Sequence, residues 1–147
     1  MFKHILIPCD GTDLSNRVVD KAIEFAREIE AKVTGFYAQP EYSVPYYEGG
    51  IPLDAMTPES FASITQSQAE TILSAVAEKA RVAGVTCDTL TTSHDSPYEA
   101  IIDAANAKGC DLIFMASHGR RGIAGLLMGS ETHKVLTHTT IPVLVYR

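Results

Sequence analysis

DLIFMASHGRRGIAGLLMGSE, running from Asp111 to Glu131, is the stretch that decides the fold. It opens on a continuous apolar run, Leu112 to Ala116, long enough for a strand buried on both faces and too short for a stable helix. The run gives way to polar, glycine-rich chain. Ser117, His118, Gly119, Arg120, Arg121 and Gly122 combine little steric bulk, many backbone N–H groups and two cations, and Gly129-Ser130 leads into a segment that reads as helix. A glycine-rich connection between a parallel strand and a helix N-terminus binds phosphate, because unpaired N–H groups and the positive helix end converge on one point.

Upstream of this stretch the chain alternates strand and helix. Phe2 to Pro8 is the first predicted strand, with Ile5-Leu6-Ile7 buried and Pro8 ending the ladder. A turn, Cys9 to Asp13, leads to an amphipathic helix from Ser15 to about Glu30, with Val18, Ala22, Phe25 and Ile29 on its apolar face. Lys32 to Ala38 is the second strand. Residues 39 to 58 then break the pattern with four prolines, a Gly-Gly pair and Tyr42, Tyr46 and Tyr47. They read as a long surface insertion or a lid-like loop. Thr57-Pro58 starts a helix that runs to Ala83 with Ile64, Ala69, Ile72, Val76 and Ala80 inward, and Gly84 ends it.

Val85 to Thr92 is the third strand, and Ser96-Pro97 caps a third helix reaching Gly109. Asp111 to Ala116 is the fourth strand, Ser130 to His138 a short helix, and Pro142 to Tyr146 the closing strand. Five strands alternating with four helices predict one α/β domain over residues 1–147, an open doubly wound sheet of mostly parallel strands. Such sheets bind ligands at the carboxyl ends of their strands, where the winding reverses. Strands one and four meet there, so the loops carrying Asp10 and Gly119 are expected to face each other.

Composition removes several functions. A net charge of −6 and a pI near 5.3 argue against a nucleic-acid partner. No run approaches the ~18 apolar residues of a membrane span, and no signal-peptide pattern precedes the first strand, so a cytoplasmic protein is expected. Cys9, Cys87 and Cys110 are odd in number and never spaced as C-x-x-C, which points to buried hydrophobes rather than disulfides or zinc ligands. Neither a P-loop nor a G-x-G-x-x-G follows the first strand.

The histidines offer little catalysis. His118 and the adjacent Ser117 are expected to point differently and make no catalytic pair, with His118 hydrogen-bonding within its loop rather than acting as a base. His133 and His138 lie five apart, which is not metal-pair spacing, and His4 and His94 show no partner in the sequence. Asp10 reads either as a ligand-side carboxylate or as a turn-maker.

Pro8-Cys9-Asp10-Gly11-Thr12 at the first strand end, the glycine loop and the closing Pro142-Val143-Leu144-Val145 together resemble the universal stress protein (UspA-like) family over essentially the whole length. Its nucleotide-binding branch carries Gly-x2-Gly-x9-Gly-Ser/Thr. This chain has Gly119, nine residues, then Gly129-Ser130, and places Ala116 where the pattern has its first glycine. The resemblance implies a Rossmann-like, adenine nucleotide alpha hydrolase-like sheet of order 3-2-1-4-5. It also implies binding of ATP, or AMP or ADP, with Mg arriving through the nucleotide. Asp10 would lie beside the nucleoside and Mg; Pro8, Ala38 and Met115 would form the adenine slot. Gly119, Arg120, Gly129, Ser130 and Thr132 would lie at the phosphates and Ala116 beside the nucleotide, its methyl group narrowing the approach, with Glu131 pointing away or supporting a metal.

It further implies a homodimer through Pro142 to Tyr146 and a regulatory stress role with little turnover. A slow ATPase or nucleotidyl-transfer enzyme and a nucleotide-free dimeric interaction protein remain the alternatives.

Overall fold

A computed structural model describes residues 1–43, 56–119 and 128–147. The elements run β1 (His4–Pro8), α1 (Asp13–Glu28), β2 (Lys32–Gln39), α2 (Pro58–Ala83), β3 (Cys87–Ser93), α3 (Pro97–Lys108), β4 (Leu112–Ala116), α4 (Ser130–His138) and β5 (Val143–Tyr146). The sheet order is β3-β2-β1-β4-β5 and every pairing is parallel. The expected order holds, with "mostly parallel" sharpened to parallel throughout. Parallel strands with helical crossovers bury both faces, and two apolar clusters form accordingly.

Side-chain alternation along each strand sorts residues between them. Ile5, Ile7, Val33, Tyr37, Leu112 and Phe114 face α1 and α2. Leu6, Phe36, Ile113 and Met115 face α3 and α4.

Local signals set most element ends. Thr57 caps α2 by accepting the Ser60 N–H at 3.1 Å, Pro58 opens the helix, and Gly84 closes it at φ 73°. Thr12 caps α1 by accepting the Ser15 N–H at 3.2 Å, so that helix starts two residues before the expected Ser15. β1 starts at His4 rather than Phe2, because the N–H groups of Lys3 and His4 bond to the Asp111 carboxylate at 2.9 Å.

Four expectations need correction. Ile64 points outward at 47% exposure, while Thr65 is buried and donates its hydroxyl to the Phe61 carbonyl at 2.9 Å. The buried stripe of α2 is Thr65, Ala69, Leu73, Val76 and Ala80, and Ile64 sits one position, about 100°, off it. Ser96 occupies the N-cap of α3 but makes no side-chain cap bond. His4 does have a partner, a buried contact of 2.7 Å between Nε2 and Thr34 Oγ1. His94 has one too, accepting the Ser96 N–H at Nδ1 over 2.9 Å.

Of the 39–58 insertion, Gln39 ends β2 and Tyr42 reaches across to its far side, donating its hydroxyl to the Met56 carbonyl at 2.7 Å. Tyr46 and Tyr47 lie outside the described residues.

Candidate functional site

The carboxyl ends of β1 and β4 carry the candidate residues. After Pro8, Cys9 donates its N–H to the Phe36 carbonyl at 2.8 Å and turns its thiol onto the same oxygen at 3.2 Å. Burial pushes that thiol up to about 12, so Cys9 is an unreactive hydrophobe. Asp10 follows. Its Oδ1 accepts the Thr12 N–H at 3.0 Å and the Thr12 hydroxyl at 2.7 Å, which makes the turn that starts α1. Gly11 takes φ 78° inside that turn, a conformation open to glycine.

Asp10 Oδ2 points across to the other loop. A Cβ added to Gly119 would come within 2.9 Å of it. The two loops therefore face each other as expected, with Asp10 making its turn through one oxygen and directing the other toward Gly119.

The β4 loop is tied at its root. The Ser117 N–H donates to the Tyr146 carbonyl at 2.8 Å, and the Ser117 carbonyl accepts the Gly129 N–H at 2.7 Å. Thr132 donates its hydroxyl to the Ala116 carbonyl at 3.0 Å. Gly129, separated from Gly119 by nine residues, is thus brought back to the end of β4. Gly129 fits there because a Cβ would lie 3.0 Å from His118 Cα. Within the loop, Ser117 Oγ and His118 Nδ1 are 3.2 Å apart: His118 bonds locally, but to the adjacent Ser117, contrary to the expectation that the two point differently.

The apolar candidates share one face. Ala38 and Met115 pack in the α3/α4 cluster, and Pro8, two residues beyond Leu6, takes the same side. Ala116 belongs to the opposite cluster, so its methyl group lies across the sheet from Ala38 and Met115.

On the phosphate side, Ser130 begins α4 exposed, whereas Thr132 is buried with its hydroxyl committed to Ala116. Glu131 turns away: Oε2 accepts the Tyr98 N–H at 2.9 Å and Oε1 accepts Lys134 Nζ at 3.0 Å. Arg120, with Arg121 and Gly122, lies outside the described residues. Among the described residues no three His, Cys, Asp or Glu side chains gather where they could hold a metal.

Sequence reasoning missed Ser117 as the knot between β5 and α4, and Tyr98 as the partner of Glu131. Both act through backbone groups, which carry no residue-type signal. A groove of about 320 Å³ between α2 and β3, bordered by Ala69, Leu73 and Leu90, involves none of the candidate residues.

A family model described as the universal stress protein family matches residues 1–147. The universal stress protein YxiE of Bacillus subtilis is 30% identical over 151 residues, covering 100% of both chains. A universal stress protein solved in complex with cAMP is 25% identical at a TM-score of 0.71, with 99% of this chain and 97% of that chain covered. The universal stress protein of Archaeoglobus fulgidus in complex with dAMP shares the fold at a TM-score of 0.68 and 20% identity, over 100% of this chain and 98% of that one.

Proposed function

This chain belongs to the universal stress protein family, and on that premise we propose that it is a cytoplasmic regulatory protein that binds an adenine nucleotide at the carboxyl ends of β1 and β4. ATP, AMP and ADP are the candidate ligands, and turnover is little or none. The observation that carries this reading is the closure of the β4 loop, where Gly129 meets Ser117 and His118 at contact distance while Gly119 opposes Asp10. Gly129, tight against the His118 backbone, and Gly119, beside the Asp10 carboxylate, leave bare backbone at the strand ends, the surface that phosphates and sugars approach most closely.

Asp10 would accept from ribose hydroxyls, and the Pro8, Ala38 and Met115 face would take the base. Gly129, Ser130 and the first-turn amides of α4 would hold phosphate, with Arg120 adding charge. A magnesium ion would enter on the nucleotide phosphates and offset their charge. The cAMP and dAMP complexes of relatives support the adenine choice.

The Ala116 methyl lies on the opposite face from Ala38 and Met115, which supports a base slot left open by the alanine. Glu131, committed to Tyr98 and Lys134, weakens the case for an ATPase that needs it at a metal. For the partner, the outer edge of β5, next to partly buried Val143, Leu144, Val145 and Tyr146, supports a two-fold homodimer.

Acid extraction of the purified protein and thermal melts with AMP, ADP and Mg-ATP test the reading. Ligand at ~100 times its dissociation constant adds about 2.7 kcal/mol, a rise on the order of 5–10 °C for a chain of this size. A clean extract with unchanged melts would sink it. Phosphate release near ~10 per second would sink the low-turnover clause.

A further inference from the structure

Glu131 is the second residue of α4, within one turn of the amides assigned above to phosphate. A carboxylate swinging there would repel the ligand and compete for those amides. Its contacts prevent this. Oε2 accepts the backbone N–H of Tyr98 at 2.9 Å. Tyr98 is the second residue of α3, whose N-cap Ser96 makes no side-chain cap bond, so Glu131 supplies from another helix the acceptor that α3 lacks.

Two more residues of α4 hold the same tyrosine. Lys134 Nζ bonds to Glu131 Oε1 at 3.0 Å and lies 5.3 Å from the centre of the Tyr98 ring, and the His138 ring packs against it at 5.1 Å. Positions 131, 134 and 138 fall on one side of a helix, so α4 presents a continuous latch to the start of α3. The neighbouring Thr132 meanwhile bonds to Ala116 at the end of β4. The first turn of α4 is therefore pinned in two directions. Its N–H groups at Ser130, Glu131 and Thr132 find no acceptor among the described residues.

The geometry points to Glu131 as a positioning residue of the nucleotide site: it fixes the first turn of α4 against α3 and spends its charge on the α3 amide and Lys134. The α4 amides are thereby left to the ligand, with no mobile carboxylate beside them. This inference rests on the nucleotide reading above, and excludes Glu131 from touching phosphate or metal itself.

The test compares the native protein with Glu131→Ala and Glu131→Gln by calorimetric titration with AMP and with ATP, and by amide hydrogen exchange. Alanine removes the acceptor and is expected to weaken both nucleotides about three- to tenfold, the scale of a lost cap. Exchange should quicken at Tyr98 and also at residues 129–132. Glutamine keeps an oxygen for the Tyr98 N–H and should stay within about twofold of native in affinity.

Alanine binding at native strength would overturn the inference. So would tighter binding by both variants, larger for ATP than for AMP, since that would make Glu131 a repulsive charge in the site. A native protein that binds neither nucleotide sinks the function reading instead, and exchange then decides the latch alone. Faster exchange confined to Tyr98 overturns it, and spread into residues 129–132 upholds it.

Discussion

Gly129 donates its N–H to the Ser117 carbonyl at 2.7 Å, with His118 Cα only 3.0 Å from where a Cβ on Gly129 would stand. The contact is backbone against backbone, so no flexible side chain can yield to an added methyl group. Gly129→Ala is expected to push the start of α4 off the β4 end, costing about 1–3 kcal/mol of stability and lowering nucleotide affinity about tenfold or more. Thermal melts and titration of the same variant read the two effects.

A second tight glycine lies beneath α2. A Cβ on Gly35 would come 2.9 Å from Val76 Cγ1, so Gly35→Ala should destabilise the fold by about 1–3 kcal/mol. Here the obstacle is a side chain. Adding Val76→Ala should restore part of the loss, with a coupling of about 0.5–3 kcal/mol in a denaturation cycle. Strictly additive losses would refute direct contact.

Acid stability should depend on the strand bottoms. Burial raises the Asp111 carboxyl, but the backbone N–H groups of His4 and Lys3 outweigh it and hold the group below its ordinary value of 3.8. A depressed acid stabilises the fold above its unfolded pKa and loses that contribution as pH falls through the folded one. Asp111→Asn should therefore flatten the loss of stability below about pH 4.

Burial, with Lys32 adding to it, holds His4 below its ordinary value of 6.5. Its unfolded state takes the proton first, so its contribution is complete above about pH 6.5 and declines as pH falls toward the folded value. Urea midpoints of His4→Gln against native, from pH 7.5 down to 5, should show a shallower slope in the variant.

Tyr42 spans the insertion, its hydroxyl on the Met56 carbonyl at 2.7 Å and its ring against Phe61 at 5.4 Å. The two ends are thus joined outside residues 44–55, and the cost of a loop grows slowly with its length. Replacing residues 44–55 by a short Gly-Ser linker should leave the melting temperature within a few degrees, because one kcal/mol corresponds to about 2–4 °C at this size. A collapse of the melt would show that those residues carry part of the core.

The sequence by itself determined what local chemistry dictates. Thr57, Pro58 and Gly84 set the bounds of α2 through contacts within one helical turn. The apolar runs of β1 and β4 reported strands buried on both faces, and strand–helix alternation fixed a parallel sheet whose β1 and β4 loops meet. The Gly119 to Gly129 spacing marked the loop that Ser117 closes.

Tertiary structure alone decided the rest, for a physical reason: a partner distant in sequence is chosen by how elements pack. Ile64 and Thr65 suit a helix equally, and only the seating of α2 on the sheet exposes one and buries the other. His4 finds Thr34 because β1 and β2 pair in register, and Glu131 finds a backbone N–H in α3, 33 positions away, that no residue type advertises.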